Sequence, residues 1–178
     1  MSVQTAASGA KTWVRDSTTQ QRGAGNLRRN AVPRDPPLRR RQGVVCVGAH
    51  GGAGATTLAK ALSATELGRE VPISGEVLVV GRTNAGGLQS VSRMLNSIVT
   101  DPRQQARVVA VALVADAPGR LPRPLSHRVR VISSAARIYR IPWVPEWRLG
   151  AEPAELPKEI RKLAELLGDL QSRTRESR

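Results

Sequence analysis

The segment His50-Gly51-Gly52-Ala53-Gly54-Ala55-Thr56-Thr57 places three glycines and two adjacent hydroxyls where an anion can be cradled. A short apolar, β-branched run, Val44-Val45-Cys46-Val47, enters it, and a helical pattern starts directly behind it. That order predicts a strand, a tight loop and a helix N-terminus. Glycines let backbone N–H groups close around a phosphate, the helix N-terminus adds partial positive charge, and Thr56 supplies a hydroxyl suited to a magnesium ion. A ligand-free turn between strand and helix is the bland alternative, since Gly51, Gly52 and Gly54 also permit close packing. The paired threonines favour phosphate, because a bare turn needs one capping hydroxyl whereas phosphate and metal contacts can use both.

The elements that must position this loop follow from hydropathy. Residues 44–47 read as a first strand and 55–67 as an amphipathic helix with Leu58 and Leu62 on one face and Gly68 as its stop. Residues 76–82, with Val77-Leu78-Val79-Val80, and residues 108–115 are continuous apolar runs suited to strands buried on both faces. Between them Leu88, Val91, Leu95, Ile98 and Val99 mark a core-facing helix. Leu125, Val129, Ile132 and Ala136 suggest a third helix, although Val129 and Val131 also alternate as in a strand. Residues 137–141 form a strand that ends at Pro142, and Leu156, Ile160, Leu163, Leu167 and Leu170 form a last helix with Pro153 and Pro157 near its start. Alternating strands and helices predict an α/β fold, a three-layer, Rossmann-like, mostly parallel sheet over residues 43–172. Residues 1–42 read as a disordered basic arm, and 173–178 as a flexible tail. Ligands of such sheets sit beyond the carboxyl ends of the strands. The glycine loop, Arg82-Thr83-Asn84, Asp116-Ala117-Pro118-Gly119 and residues 143–148 are therefore expected on one edge.

The loop resembles the deviant phosphate loop of ParA/MinD-type P-loop ATPases, whose pattern carries one lysine before the paired glycines and another before the paired threonines. The glycines, Thr56 and Thr57 match, whereas His50 and Ala55 stand at the two lysine positions. The chain is similar, further, to an uncharacterised set of short bacterial ParA-like proteins that share the altered loop and the Asp-Ala-Pro-Gly and Pro-Trp-Val segments. The resemblance implies a P-loop fold, truncated relative to full ParA/MinD ATPases, with ATP or ADP and magnesium as cofactors. Residues 50–57 would bind the nucleotide. The missing lysine at Ala55 removes a charge-assisted contact worth about 1.5 to 3 kcal/mol, roughly ten- to a hundredfold in affinity. Hydrolysis should suffer more, because phosphoryl transfer depends on cations arranged around spreading charge. Lys60 is a poor substitute, since five residues along a helix turn it about 140° from Ala55. His50 is either a weak phosphate donor or a structural loop residue.

Asp116 has two readings under the same resemblance. It is the acidic strand end that positions magnesium with Thr56, and so a candidate catalytic residue, or it belongs to a later strand near the base pocket, the usual acidic strands having been deleted. Deletion is favoured, because the chain between residues 67 and 76 looks too short for another strand and helix, parallel connections needing about a dozen residues. Neither Gly81 nor Arg82 supplies the expected carboxylate. Trp147 or Trp143 would stack on the base; their alternative is core packing or an interface anchor.

The net charge is +14, and of the 28 basic residues four are lysine, in a chain rich in alanine and glycine. Coding bias explains such arginine usage as readily as nucleic acid does. The arm, with Arg39-Arg40-Arg41, is the candidate DNA contact, and Arg123, Arg128, Arg130, Arg137 and Arg140 the candidate basic face. The single cysteine, Cys46, excludes an internal disulfide or a cysteine-based zinc cluster. No apolar run approaches the roughly 20 residues of a membrane helix, and a cytoplasmic protein without a signal peptide is expected. The expected function is a non-catalytic regulatory or protein-partner-binding module with weak or vestigial nucleotide binding. The alternatives are an active ATPase of a DNA partition or transfer system, with Asp116 holding magnesium and a partner supplying the cation, and a basic DNA-binding accessory protein.

Overall fold

The computed structural model describes residues 43–176. The arm at 1–42, with Arg39, Arg40 and Arg41, and residues 177–178 lie outside the described residues. Five strands, β1 (Val44–Gly48), β2 (Thr65–Glu66), β3 (Ser74–Arg82), β4 (Gln105–Val114) and β5 (Ile138–Ile141), form one all-parallel sheet in the order β2-β1-β3-β4-β5. This is one of the two common doubly wound orders. The helices are α1 (Ala55–Ala61), α2 (Ala85–Thr100), α3 (Arg123–Ala135), α4 (Pro145–Arg148) and α5 (Lys158–Glu176).

Helices cover both faces of the sheet, which is why its strands read as unbroken apolar runs instead of alternating ones. Cys46, Leu78, Val80, Ala110 and Ala112 face α1 and α5, where Leu58, Ile160, Leu163 and Leu167 pack on them. Their chain neighbours Val45, Val47, Val77, Val79 and Val111 face α2 and α3, against Leu88, Val91, Leu95, Val129 and Ile132. The period-2 geometry of a strand thus divides the core into two clusters, one per face. The β3/β4 register shifts by one residue after Val77, so that Val77 opposes Val108 and Leu78 opposes Ala110.

Three expectations are corrected. The helix predicted to reach residue 67 stops at Ala61, because Ser63 adopts a left-handed φ of 51° and the Ala64 amide turns back to the Ala59 carbonyl at 2.9 Å. The chain released there pairs with β1 as the two-residue β2, which takes residues 65–66 from the end of the expected helix, and residues 67–73 return to β3 with neither strand nor helix, as the shortness of that stretch implied. Val99, placed on the core face by its spacing, is 84% exposed, because its neighbour Ile98 takes the buried position. Finally, α5 runs to Glu176, so residues 173–176 are helical where a tail was expected. At α3 the helical period prevails over alternation, leaving Val131 outside and Val129 and Ile132 inside.

Cys46 lies on β1 with no measurable exposure. Burial, and secondarily the charge of Glu66, pushes its thiol up to about 12 from an ordinary value of 9.0. The folded chain therefore holds the thiol proton more tightly than the unfolded chain does. The resulting stability is fully present below about pH 9 and is lost as pH rises toward 12. Native protein at pH 8 should resist Ellman's reagent, and the thiol should react within seconds once denaturant unfolds the chain. Fast labelling of native protein would contradict this burial.

Candidate functional site

β1 and β3 are neighbours, yet the chain leaves them in opposite directions. From β1 it passes through α1 to β2, and from β3 through α2 to β4 on the other side. The two connections diverge at the carboxyl edge and leave a crevice, the place where doubly wound sheets bind ligands. An open cleft of about 490 Å3 lies there, lined by the glycine loop at His50, Gly51 and Gly52, by Arg82 and Asn84 after β3, by the first turn of α2, and by Asp116 and Arg148.

The loop is shaped by its backbone. Gly54 caps α1 at a left-handed φ of 89°, and no side chain caps the helix. The first-turn amides of Ala55, Thr56 and Thr57 therefore have no partner inside the helix. Upstream, the Ala49 amide is tied to the Val80 carbonyl at 2.8 Å and the Ala53 amide closes a turn onto the His50 carbonyl at 3.2 Å.

The His50 ring is fully engaged. Its Nε2 accepts the Arg82 backbone N–H at 3.1 Å, which leaves the proton on Nδ1, 2.8 Å from the Gly51 carbonyl. Neither nitrogen is left for a phosphate, so of the two readings of His50 the structural one fits this geometry. Arg82 continues the network: its Nε donates to the Gly52 carbonyl at 3.2 Å and its Nη1 to the Ala115 carbonyl at 3.0 Å. The guanidinium thus spans from the glycine loop to the end of β4.

Asn84 caps α2 by accepting the Gly87 amide at 2.7 Å, while its Nδ2 donates to Asp116 at 3.1 Å. The Asp116 amide in turn donates to the hydroxyl of buried Thr83 at 3.1 Å. This Asn84–Asp116 pair stands between the first cleft and a second of about 610 Å3, which runs between the ends of β4 and β5 past Leu121, Leu125, Ile141, Pro142 and Trp143.

The two threonines diverge. Thr56 donates to Glu66 at 3.0 Å, toward β2, and does not line the cleft. Thr57 lines a small recess of about 90 Å3 with Gly54, Trp143 and Trp147. Ala55 is 6% exposed and packs into the core beside Leu58. Lys60 points elsewhere, its ammonium 2.7 Å from Glu152, whose hydrogen bond and charge raise the lysine and are matched by a lowered carboxyl. Of the two candidate magnesium ligands, Thr56 donates its proton to Glu66 and Asp116 accepts from Asn84 through one oxygen, and no cluster of three or more His, Cys, Asp or Glu side chains gathers among the described residues.

Trp143 and Trp147 are each half-buried near the cleft, and the Arg148 guanidinium lies 5.5 Å from the Trp143 ring centroid. The arginines of the candidate basic face lie on α3, on the link to β5 and on β5 itself. Arg123, Arg128 and Arg130 are exposed on α3, Arg137 covers the Tyr139 ring at 5.2 Å, and Arg140 lines the second cleft.

Sequence reasoning placed Arg82 and Asn84 on the edge without assigning them a role, and missed Gly87. A signal for Asn84 was present, since asparagine before an apolar-periodic run is a helix cap. For Gly87 there was none, because its role is steric. A Cβ there would stand 2.4 Å from the Arg82 carbonyl oxygen and 3.0 Å from His50 Nε2.

Among the described residues no helix is long and apolar enough to cross a membrane. No curated protein and no solved structure matches the chain. Residues 42–164 match the model of a family of unknown function, DUF6668.

Proposed function

The chain thus belongs to the DUF6668 family, and from its site we propose that it is a ParA/MinD-like α/β domain whose degenerate phosphate loop holds a nucleotide or similar phosphate-bearing ligand weakly. It does not turn that ligand over, and it acts as a regulatory or partner-binding module. The observation that carries this reading is the cleft at the β1/β3 divergence, where a glycine loop with a left-handed Gly54 meets two arginines. A nucleotide would set its phosphates in this cleft and its base along the second one, toward Trp143.

The same geometry argues against turnover. Phosphoryl transfer needs cations fixed around the transferred group, yet position 55, where the loop pattern has a lysine, carries a buried methyl. Calorimetry with ADP should give a Kd on the order of 0.1–1 mM, unchanged by removing magnesium and by Thr56→Val to within about twofold, because that hydroxyl faces Glu66. No phosphate should be released from ATP. Magnesium-dependent hydrolysis that requires Asp116 would establish an ATPase instead, and absence of any ADP or ATP binding would remove the nucleotide reading.

A further inference from the structure

We propose that Arg82 is the cation of the phosphate site, supplying from the neighbouring strand the charge that the loop lacks at Ala55. The proposal rests on the reading that the first cleft takes a phosphate-bearing ligand. It adds which group recognises that ligand and how the loop keeps an anion site without its lysine.

Arg82 ends β3, the strand paired with β1 in the register Gly48 to Val80. Its side chain therefore starts beside the glycine loop, whereas the Lys60 ammonium is paired with Glu152. Three hydrogen bonds fix its place: the backbone N–H to His50, Nε to Gly52 and Nη1 to Ala115. A guanidinium carries five N–H groups, and its two side-chain bonds leave the remaining donors of Nη1 and Nη2 without a partner among the described residues.

Both acceptors are neutral carbonyls. Among the described residues the ion pairs are Lys60–Glu152, Arg103–Asp101, Arg107–Glu76 and Arg161–Glu155, and Arg82 belongs to none of them. The acid that shares its cleft, Asp116, is engaged by Asn84. A half-buried guanidinium held by carbonyls alone lacks a counter-charge, which an oxyanion with two or more free oxygens matches in fork geometry. Arg148, also outside those pairs and stacked on Trp143, brings a second guanidinium to the same cleft. Two arginines against one engaged aspartate select anions, and the glycine wall of Gly51 and Gly52 leaves room for a tetrahedral group to approach.

The competing role for Arg82 is a brace that ties the loop to β4. Charge separates the two roles, since Arg82→Lys keeps the cation while losing the two-carbonyl bridge, and Arg82→Gln loses both.

The test is calorimetric titration of the full chain with inorganic pyrophosphate and with ADP, alongside melting curves and a salt series. Arg82→Gln is expected to weaken pyrophosphate binding about tenfold or more and to flatten its dependence on salt, with Arg82→Lys within about threefold of the parent. Arg148→Gln, at an exposed position, should lose about threefold without a change in melting, and Arg161→Gln, paired to Glu155 elsewhere, should change nothing. Pyrophosphate affinity within twofold of the parent in Arg82→Gln would overturn the proposal and leave the nucleotide reading standing. Equal losses in the Gln and Lys variants, in step with falling melting temperature, would overturn it in favour of the brace. If the parent chain binds neither pyrophosphate nor ADP, the phosphate reading itself fails, and this assignment with it.

Discussion

Gly87→Ala should lower the melting temperature by roughly 6–12 °C, the equivalent of about 3 kcal/mol for a chain of this size. The added methyl would stand 2.4 Å from the Arg82 carbonyl oxygen, 3.0 Å from its carbonyl carbon and 3.0 Å from His50 Nε2. The two Arg82 atoms are backbone and cannot swing aside, so relief requires α2 to back away from β3. That movement would also strain the bond from the Arg82 amide to His50 and the cap from Asn84 to the Gly87 amide. Pyrophosphate binding should weaken with it. Gly86→Ala is the matched control: its methyl meets nothing closer than Asn84 Oδ1 at 3.8 Å. It should stabilise slightly, by about 0.5–1 kcal/mol, as alanine does over glycine inside a helix. Scanning calorimetry of the two variants checks the pair, and similar melting temperatures would refute the close approach.

Leu58→Ala should cost about 3–5 kcal/mol and abolish ligand binding at the loop. A helix as short as α1 has no stability of its own in water. Tertiary burial holds it, and Leu58, fully buried against the α5 side of the sheet, is its largest buried side chain. Removing that anchor leaves Ala55 and Ala59 to hold the helix, and the loop loses its downstream support. Leu163→Ala, on α5 in the same cluster, should destabilise by a similar amount while leaving affinity per folded molecule unchanged. Urea titration gives the first quantity and calorimetry the second, and parallel loss of binding in both variants would refute a specific role for α1.

Much of the sheet was legible because each buried strand is an uninterrupted apolar run, and a run such as Val77-Leu78-Val79-Val80 has few other places to go. The glycine loop and its edge were legible for a related reason: a parallel sheet puts every strand-to-helix turn on one side. What escaped depended on single backbone conformations and on distances across the chain. Ser63 at positive φ ends α1 early and releases β2, and no residue type there announces it. Thr56 has the right chemistry for the loop, yet its hydroxyl is claimed by Glu66, ten residues away on a strand the sequence did not reveal. Arg82 reads as the polar end of a strand, and its reach to Gly52 and Ala115 arises only when three strand ends meet. The steric demand at Gly87 belongs to the same class.

The two outermost strands are the shortest in the sheet, β2 with two residues and β5 with four. Few unpaired main-chain groups therefore remain in a row at either border, and a foreign segment finds little ladder to extend. Both borders of the sheet are therefore poor templates for the addition of a further strand, from a second copy or from another chain.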